Sequence, residues 1–197
     1  MTYHAARTEG GAGAPLVFTF HGTGGSEQQF HDLASRILPD AHVVSPRGDV
    51  SENGMARYFR RTGEGVYDMH DLARRTEAMT GFIEAEIART KAGEVRAFGY
   101  SNGANILAAV AFMRPELFDR IALLHPLIPW SPEPAPGLAG RSVLITGGRR
   151  DPICPLPATE ALATWFRAQK AEVALHLHDG GHEIDRAEIA ALAQFLA

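Results

Sequence analysis

Val95-Arg96-Ala97-Phe98-Gly99-Tyr100-Ser101-Asn102-Gly103 is an apolar run that ends in a glycine-flanked serine. Ala104, Ile106, Leu107, Ala108 and Val110 follow at helical spacing. A nucleophile elbow has this form: a strand, a turn too tight for flanking side chains, and a helix that leaves at once. Gly99 and Gly103 remove the flanking side chains, and the turn holds Ser101 in a backbone conformation that ordinary residues avoid. The new helix then points its free N–H groups at whatever the serine attacks.

The residues on either side extend the pattern. Leu16-Val17-Phe18-Thr19-Phe20-His21-Gly22-Thr23-Gly24-Gly25 is a second apolar strand that runs into a glycine-rich loop. Acyl transfer needs a second oxyanion donor from such a neighbouring loop. The spacing is neither G-x-G-x-x-G nor a P-loop with its lysine, so these glycines call for no nucleotide and the motifs call for no cofactor. After the serine come Asp151, just past the strand-like run 142–147, and His182, just past the run 173–178. The order Ser, acid, His, each member at a strand end, is that of a hydrolase triad. His176 and His178 share one strand face, yet no H-E-x-x-H or cysteine pair accompanies them, and no metal is expected.

These segments resemble the α/β-hydrolase superfamily, and within it the phospholipase/carboxylesterase branch. The matching stretches are His21–Gly25, Ser45-Pro46-Arg47-Gly48, Glu52-Asn53-Gly54-Met55, Phe59-Arg60-Arg61, the elbow at 99–103, Gly148–Pro152 and Gly181-His182-Glu183. The middle stretches are similar to small bacterial carboxylesterases associated with hydroquinone and aromatic-compound detoxification. By position, the resemblance implies Ser101 as nucleophile, Asp151 as acid, His182 as base, and the amides of Thr23 and Asn102 as the oxyanion hole. The related dienelactone hydrolases carry cysteine at the elbow, whereas the one cysteine here, Cys154, lies past the acid.

At 197 residues, 45% hydrophobic and with a formal charge of −4, the chain reads as one ordinary globular domain. No basic stripe points to nucleic acid, and no apolar run is long enough to cross a membrane. With one cysteine and no leader-like start, the cytoplasm is the expected compartment. Strand and helix patterns alternate, so an α/β fold with a minimal, mostly parallel sheet, helices on both faces and no large cap is expected. Strands are expected near 16–20, 41–45, 94–100, 120–125, 142–147 and 173–178. A first helix is expected to open at Ser26 with a capping box to Gln29, and a long one to run from about 69 to 91 and end at Gly93.

Two connections leave the sheet edge that would carry the site, 46–68 and 126–141. His21, Met55, Phe59, Arg60, Arg61, Ile128 and Trp130 are the candidate substrate contacts there. The arginines are read either as a positive rim for an anionic aromatic substrate or as solvated partners of Glu52, Glu64 and Asp68. The expected partner is a small-molecule ester, with a homodimer left open. Thioesters, lysophospholipids and carbon–carbon bond hydrolysis remain open within the same chemistry, as does a ligand-binding protein that keeps the triad without turnover.

Overall fold

Seven strands form the central sheet, and the alternation of their side chains explains its two covered faces. In the computed structural model, which describes residues 3–197, these are β1 (Ala5–Thr8), β2 (Leu16–Phe20), β3 (His42–Pro46), β8 (Val95–Tyr100), β9 (Arg120–Leu124), β10 (Ser142–Gly148) and β11 (Glu172–His178). Four short strands lie between β3 and β8: β4 (Val50–Glu52), β5 (Met55–Arg57), β6 (Arg61–Gly63) and β7 (Val66–Tyr67). The sheet order is β1-β3-β2-β8-β9-β10-β11. β1 runs antiparallel to β3, and the other neighbours in this sheet are parallel.

Parallel strands need crossovers, and the helices supply them on both faces. Leu16, Phe18 and Phe20 of β2 face one core together with Ala97, Ile121, Leu123, Val143 and Ile145. Helices α2 (Met69–Thr90), α3 (Asn102–Met113) and α4 (Leu156–Ala168) cover that side. Val17, Val43, Phe98, Ala122, Leu124 and Leu144 face the other core, beneath α1 (His31–Ile37) and α5 (Arg186–Leu196). Both faces are apolar, which is why the inner strands β2, β8, β9 and β10 read as largely hydrophobic runs.

Three local expectations need correction. Helix α1 begins at His31 with no side-chain cap, because Gln29 turns away to accept the Gly22 N–H at 2.9 Å. Ser26 accepts instead from the Gln28 amide. Helix α2 is closed by Lys91 in the left-handed conformation (φ 54°) and not by Gly93. The connection 46–68 is built as two hairpins, β4–β5 and β6–β7, rather than open loop. Among the described residues no helix is long and apolar enough to cross a membrane.

Leu123 sits mid-sheet with no exposed surface. Leu123→Ala is expected to lower the unfolding free energy by about 3 kcal/mol. Val66→Ala, on the exposed β7, should change it by less than about 0.5 kcal/mol. Urea titration followed by circular dichroism measures both.

Candidate active site

The elbow is shaped by a close backbone approach. A Cβ on Gly99 would lie 2.6 Å from the backbone of Gly103, and one on Gly103 would run into the carbonyls of Phe20 and His21. With both side chains absent, α3 packs directly on β8 and β2. Ser101 is left at φ 52°, ψ −117°, with its N–H donated to the Leu124 carbonyl at 2.9 Å. A non-glycine residue in such a conformation is strained by about 1–3 kcal/mol, and the surrounding packing must hold it there.

From that turn Ser101 Oγ lies 2.9 Å from His182 Nε2. His182 Nδ1 lies 2.8 Å from Asp151 Oδ2. Asp151 is buried, and its Oδ1 accepts the N–H groups of Ile153 and Cys154, each at 2.8 Å. Burial by itself would raise the carboxyl, but the Cys154 amide and two imidazoles outweigh it and hold the group below the ordinary aspartate value. Asp179, the other acid near His182 in sequence, is exposed and faces Arg149. Tyr100 donates its hydroxyl to the His182 carbonyl at 2.6 Å, and its ring lies 5.3 Å from the imidazole, which fixes the histidine loop. Burial raises the Tyr100 phenol to about 12, so it remains a donor.

The loop after β2 meets this group from the other side. Thr23 and Asn102 both border the cleft. Among the described residues neither backbone N–H has an internal acceptor. Several ties hold the loop in place. Tyr58 Oη accepts the His21 N–H at 3.1 Å and donates to the Pro46 carbonyl at 2.8 Å. Gly24 donates to the Ala56 carbonyl at 2.9 Å, and Arg57 Nη1 donates to Thr23 Oγ1 at 2.8 Å. Asn102 Oδ1 accepts the Tyr58 N–H at 2.8 Å, so elbow and loop are joined through one buried tyrosine.

A cleft of about 310 Å³ opens above Ser101 and His182. Met55, Arg57, Arg61 and Tyr67 from the hairpins border it, together with Leu127 and Ile153. Asn105 closes a ring beneath it, donating to Tyr67 Oη at 2.8 Å and accepting the Leu127 N–H at 2.8 Å. Of the expected substrate contacts, Met55 and Arg61 line the cleft. His21 does not: it is buried, and its Nε2 accepts the Gly48 N–H at 2.9 Å, which makes it a tie between loops. Phe59 is wholly buried under the Tyr67 ring. Arg60 is exposed, and its backbone N–H is bonded to Asp71. Ile128 and Trp130 line a separate depression beside Trp165.

Arg57 takes the place in the cleft expected for Arg60, because β5 turns its side chain inward. The rim is not a bare positive patch. Glu52 lies 3.3 Å from Arg57 and 3.0 Å from Arg61, and Glu64 lies 2.7 Å from Arg61.

A second polar cluster lies behind Asp151. His125 Nδ1 faces Asp151 Oδ2 at 2.8 Å, and its Nε2 lies 3.2 Å from the Glu188 carboxylate. His178 Nε2 also approaches Glu188, at 3.2 Å. His125, His178 and Glu188 could in principle converge on a cation. However, His178 Nδ1 accepts the Gly180 N–H at 3.0 Å, which leaves its proton on Nε2, 3.2 Å from Glu188 and 3.5 Å from His125 Nε2. The donors are thus committed to hydrogen bonds with one another. Sequence reading missed His125, although it follows β9 as Asp151 follows β10: an ionisable residue at a strand end was the available signal.

The sequence matches the dienelactone hydrolase family over residues 2–184. The chain belongs to the dienelactone hydrolase family. MhqD of Bacillus subtilis (strain 168), which carries a provisional hydrolase designation, is 39% identical over 182 residues, covering 91% of each chain. Among solved structures, the Bacillus cereus carboxylesterase superposes with a TM-score of 0.89 at 33% identity, covering 98% of this chain and 92% of that one. Atu2452 of Agrobacterium tumefaciens str. C58, a protein of unknown function, superposes with a TM-score of 0.93 at 52% identity, covering 98% and 95%. The fold is that of the α/β-hydrolase carboxylesterases, and the chain is a hydrolase of this type. Ser101 occupies the elbow inside the matched span.

Tyr58→Phe strands the His21 N–H and the Pro46 carbonyl in the interior. It is expected to destabilise the fold by about 3 kcal/mol. Chemical unfolding of the variant checks this, and a loss below about 0.5 kcal/mol would mean that the loop does not depend on the tie.

Proposed function

We propose that the protein hydrolyses carboxylic esters of small or medium size through an acyl-enzyme on Ser101. The observation that carries this reading is the unbroken contact from Ser101 Oγ through His182 to Asp151, at 2.9 and 2.8 Å, at the base of an open cleft. His182 takes the serine proton as Oγ adds to the ester carbonyl, and Asp151 holds the imidazole tautomer and balances the imidazolium. The developing oxyanion is met by the N–H groups of Thr23 and Asn102, each worth about two to three powers of ten in rate. Collapse expels the alcohol, which takes the proton from His182. A water molecule, activated by the same imidazole, then releases the acid.

Arg57 and Arg61 suit a polar or anionic arm of the substrate remote from the ester, since a guanidinium can grip a carboxylate or phenolate through two N–H groups. An incoming anion shares these arginines with Glu52 and Glu64, so the site favours substrates whose arm can displace or bridge those pairs.

Ser101→Ala is expected to abolish turnover of short-chain aryl esters while leaving the unfolding midpoint in place, and a fluorophosphonate should label Ser101 alone. Retained activity, or a label elsewhere, would remove the assignment. Asp151→Asn should lower kcat by about four powers of ten through the wrong histidine tautomer.

Arg61→Ala is expected to raise KM for anionic aryl esters about tenfold, equivalent to about 1.4 kcal/mol of uniform binding, with neutral acetate esters little changed. Equal losses on both would show that Arg61 only braces the hairpins through Glu52 and Glu64.

A further inference from the structure

His125 is not needed for the chemistry just described, yet the fold holds it with unusual care. It adopts φ 49°, a left-handed conformation for a residue with a bulky side chain. Its N–H donates to the Thr146 carbonyl at 3.0 Å, and its own carbonyl accepts from Cys154 Sγ at 3.1 Å. The ring has no exposed surface and lies between two carboxylates that are themselves buried, Asp151 on Nδ1 and Glu188 on Nε2. Doubly protonated, the ring donates to both carboxylates, whereas a neutral ring would have to accept on Nε2 from His178 at 3.5 Å, farther off than Glu188 at 3.2 Å, so the geometry favours a proton on each nitrogen. Both acids are supplied with other donors that keep them ionised. Asp151 receives two backbone amides and His182, while Glu188 receives the Asp185 N–H at 2.9 Å and has His178 Nε2 3.2 Å away.

The decisive detail is which oxygen is shared. His125 and His182 both meet Asp151 on Oδ2, each at 2.8 Å, with their rings 5.1 Å apart. We infer that His125 is a positioning residue held as an imidazolium between Asp151 and Glu188, and that its charge on Asp151 Oδ2 sets the pH at which His182 becomes free to act as base. The inference rests on the reading of Ser101, His182 and Asp151 as the reacting triad. A fixed cation beside Oδ2 weakens the pull of Asp151 on the His182 proton and repels a second imidazolium. Glu188 limits the effect by neutralising the cation from behind. The directions of ionisation agree. Burial opposes the charge on His125, but Glu188 and Asp151 outweigh it and raise its value above that of an ordinary histidine. Burial would raise the Glu188 carboxyl, but its bond from His125 holds it below the usual range.

The other titratable groups around the ring are His178 and His182 from the loop side, Tyr100 at 5.8 Å and Cys154 on the main-chain side. Asp185 lies 4.0 Å behind His178. Burial raises the Tyr100 phenol and the Cys154 thiol, so both stay neutral at working pH. The charge balance around Oδ2 is thus set by His125 and the two carboxylates.

The test is the pH dependence of kcat/KM, which reports ionisations of the free enzyme. His125→Asn keeps an N–H toward Asp151 but removes the cation, leaving two carboxylates unbalanced. The acid limb is expected to move to higher pH by about one pH unit, about a tenfold loss on the acid side, with a smaller loss on the plateau. Adding Glu188→Gln restores the charge count, and the double variant should bring the limb back toward wild type. A limb that stays in place in both variants while the plateau falls would show that His125 is merely a packing residue and would overturn the inference. Nitrogen-15 spectra of the wild-type imidazoles test it without a variant. His125 should keep both ring protons after His182 has lost one of its own as pH rises, and a His125 that becomes neutral before His182 does would overturn it. Failure of the hydrolase reading would appear differently, as wild-type protein that turns over no ester, and these spectra need no turnover.

Discussion

Everything at the site hangs from the approach of helix α3 to strands β8 and β2. Gly99 and Gly103 allow backbone to touch backbone where a single methyl would collide with Gly103 or with the Phe20 and His21 carbonyls. That contact puts the start of α3 level with the loop after β2. Ser101 is thereby held in a strained conformation between two sets of free amides. The strain is sustained by two apolar cores, one on each face of the sheet, that fix β2, β8 and β9 in register.

Around this contact the protein relies on neutral buried polar groups to position its loops. Tyr58 is the hub: it joins His21, Pro46 and Asn102 from a position with no exposed surface. His21 belongs to the same scaffold. Burial pushes its value below that of an ordinary histidine, and a neutral ring can both donate to the Gly22 carbonyl and accept from Gly48. Beside the cleft, ionisable groups gather at the rim, where arginines and glutamates pair, and in the cluster of Asp151, His125 and Glu188 beneath His182. The ionic groups at the rim are partly solvated and so weakly stabilising, whereas those behind Asp151 are fully enclosed and strongly coupled.

The same division explains where sequence reading succeeded. Strands β2, β3, β8, β9 and β10 were legible because each buries both faces and so appears as a short apolar run, and the edge strand β11 was legible from its alternating Val173, Leu175 and Leu177. Ser101, Asp151 and His182, the proposed triad, were legible as candidates because each stands just past one of these strands. The first helix was misread because Ser26 and Gln29 have the spacing of a capping box, yet Gln29 is used across space to hold Gly22. Phe59 and Trp130 were misassigned to the cleft because an aromatic residue on a long connection looks the same whether it faces substrate or a neighbouring ring.

By itself the sequence determined the fold class, the order of the chemistry-bearing residues and the strand end on which each stands. All of these follow from local spacing: periodicity, glycine placement and the position of polar residues after apolar runs. Only the tertiary structure decided which arginine enters the cleft, because the choice between Arg57 and Arg60 depends on the twist and pairing of the β4–β5 hairpin. It alone decided that His125, Glu188 and His178 gather behind Asp151. They come from the end of β9, from α5 and from the end of β11, and nothing in their separations along the chain records that parallel strands bring those ends side by side. Local pattern tells where a side chain can point, whereas long-range packing decides what it meets.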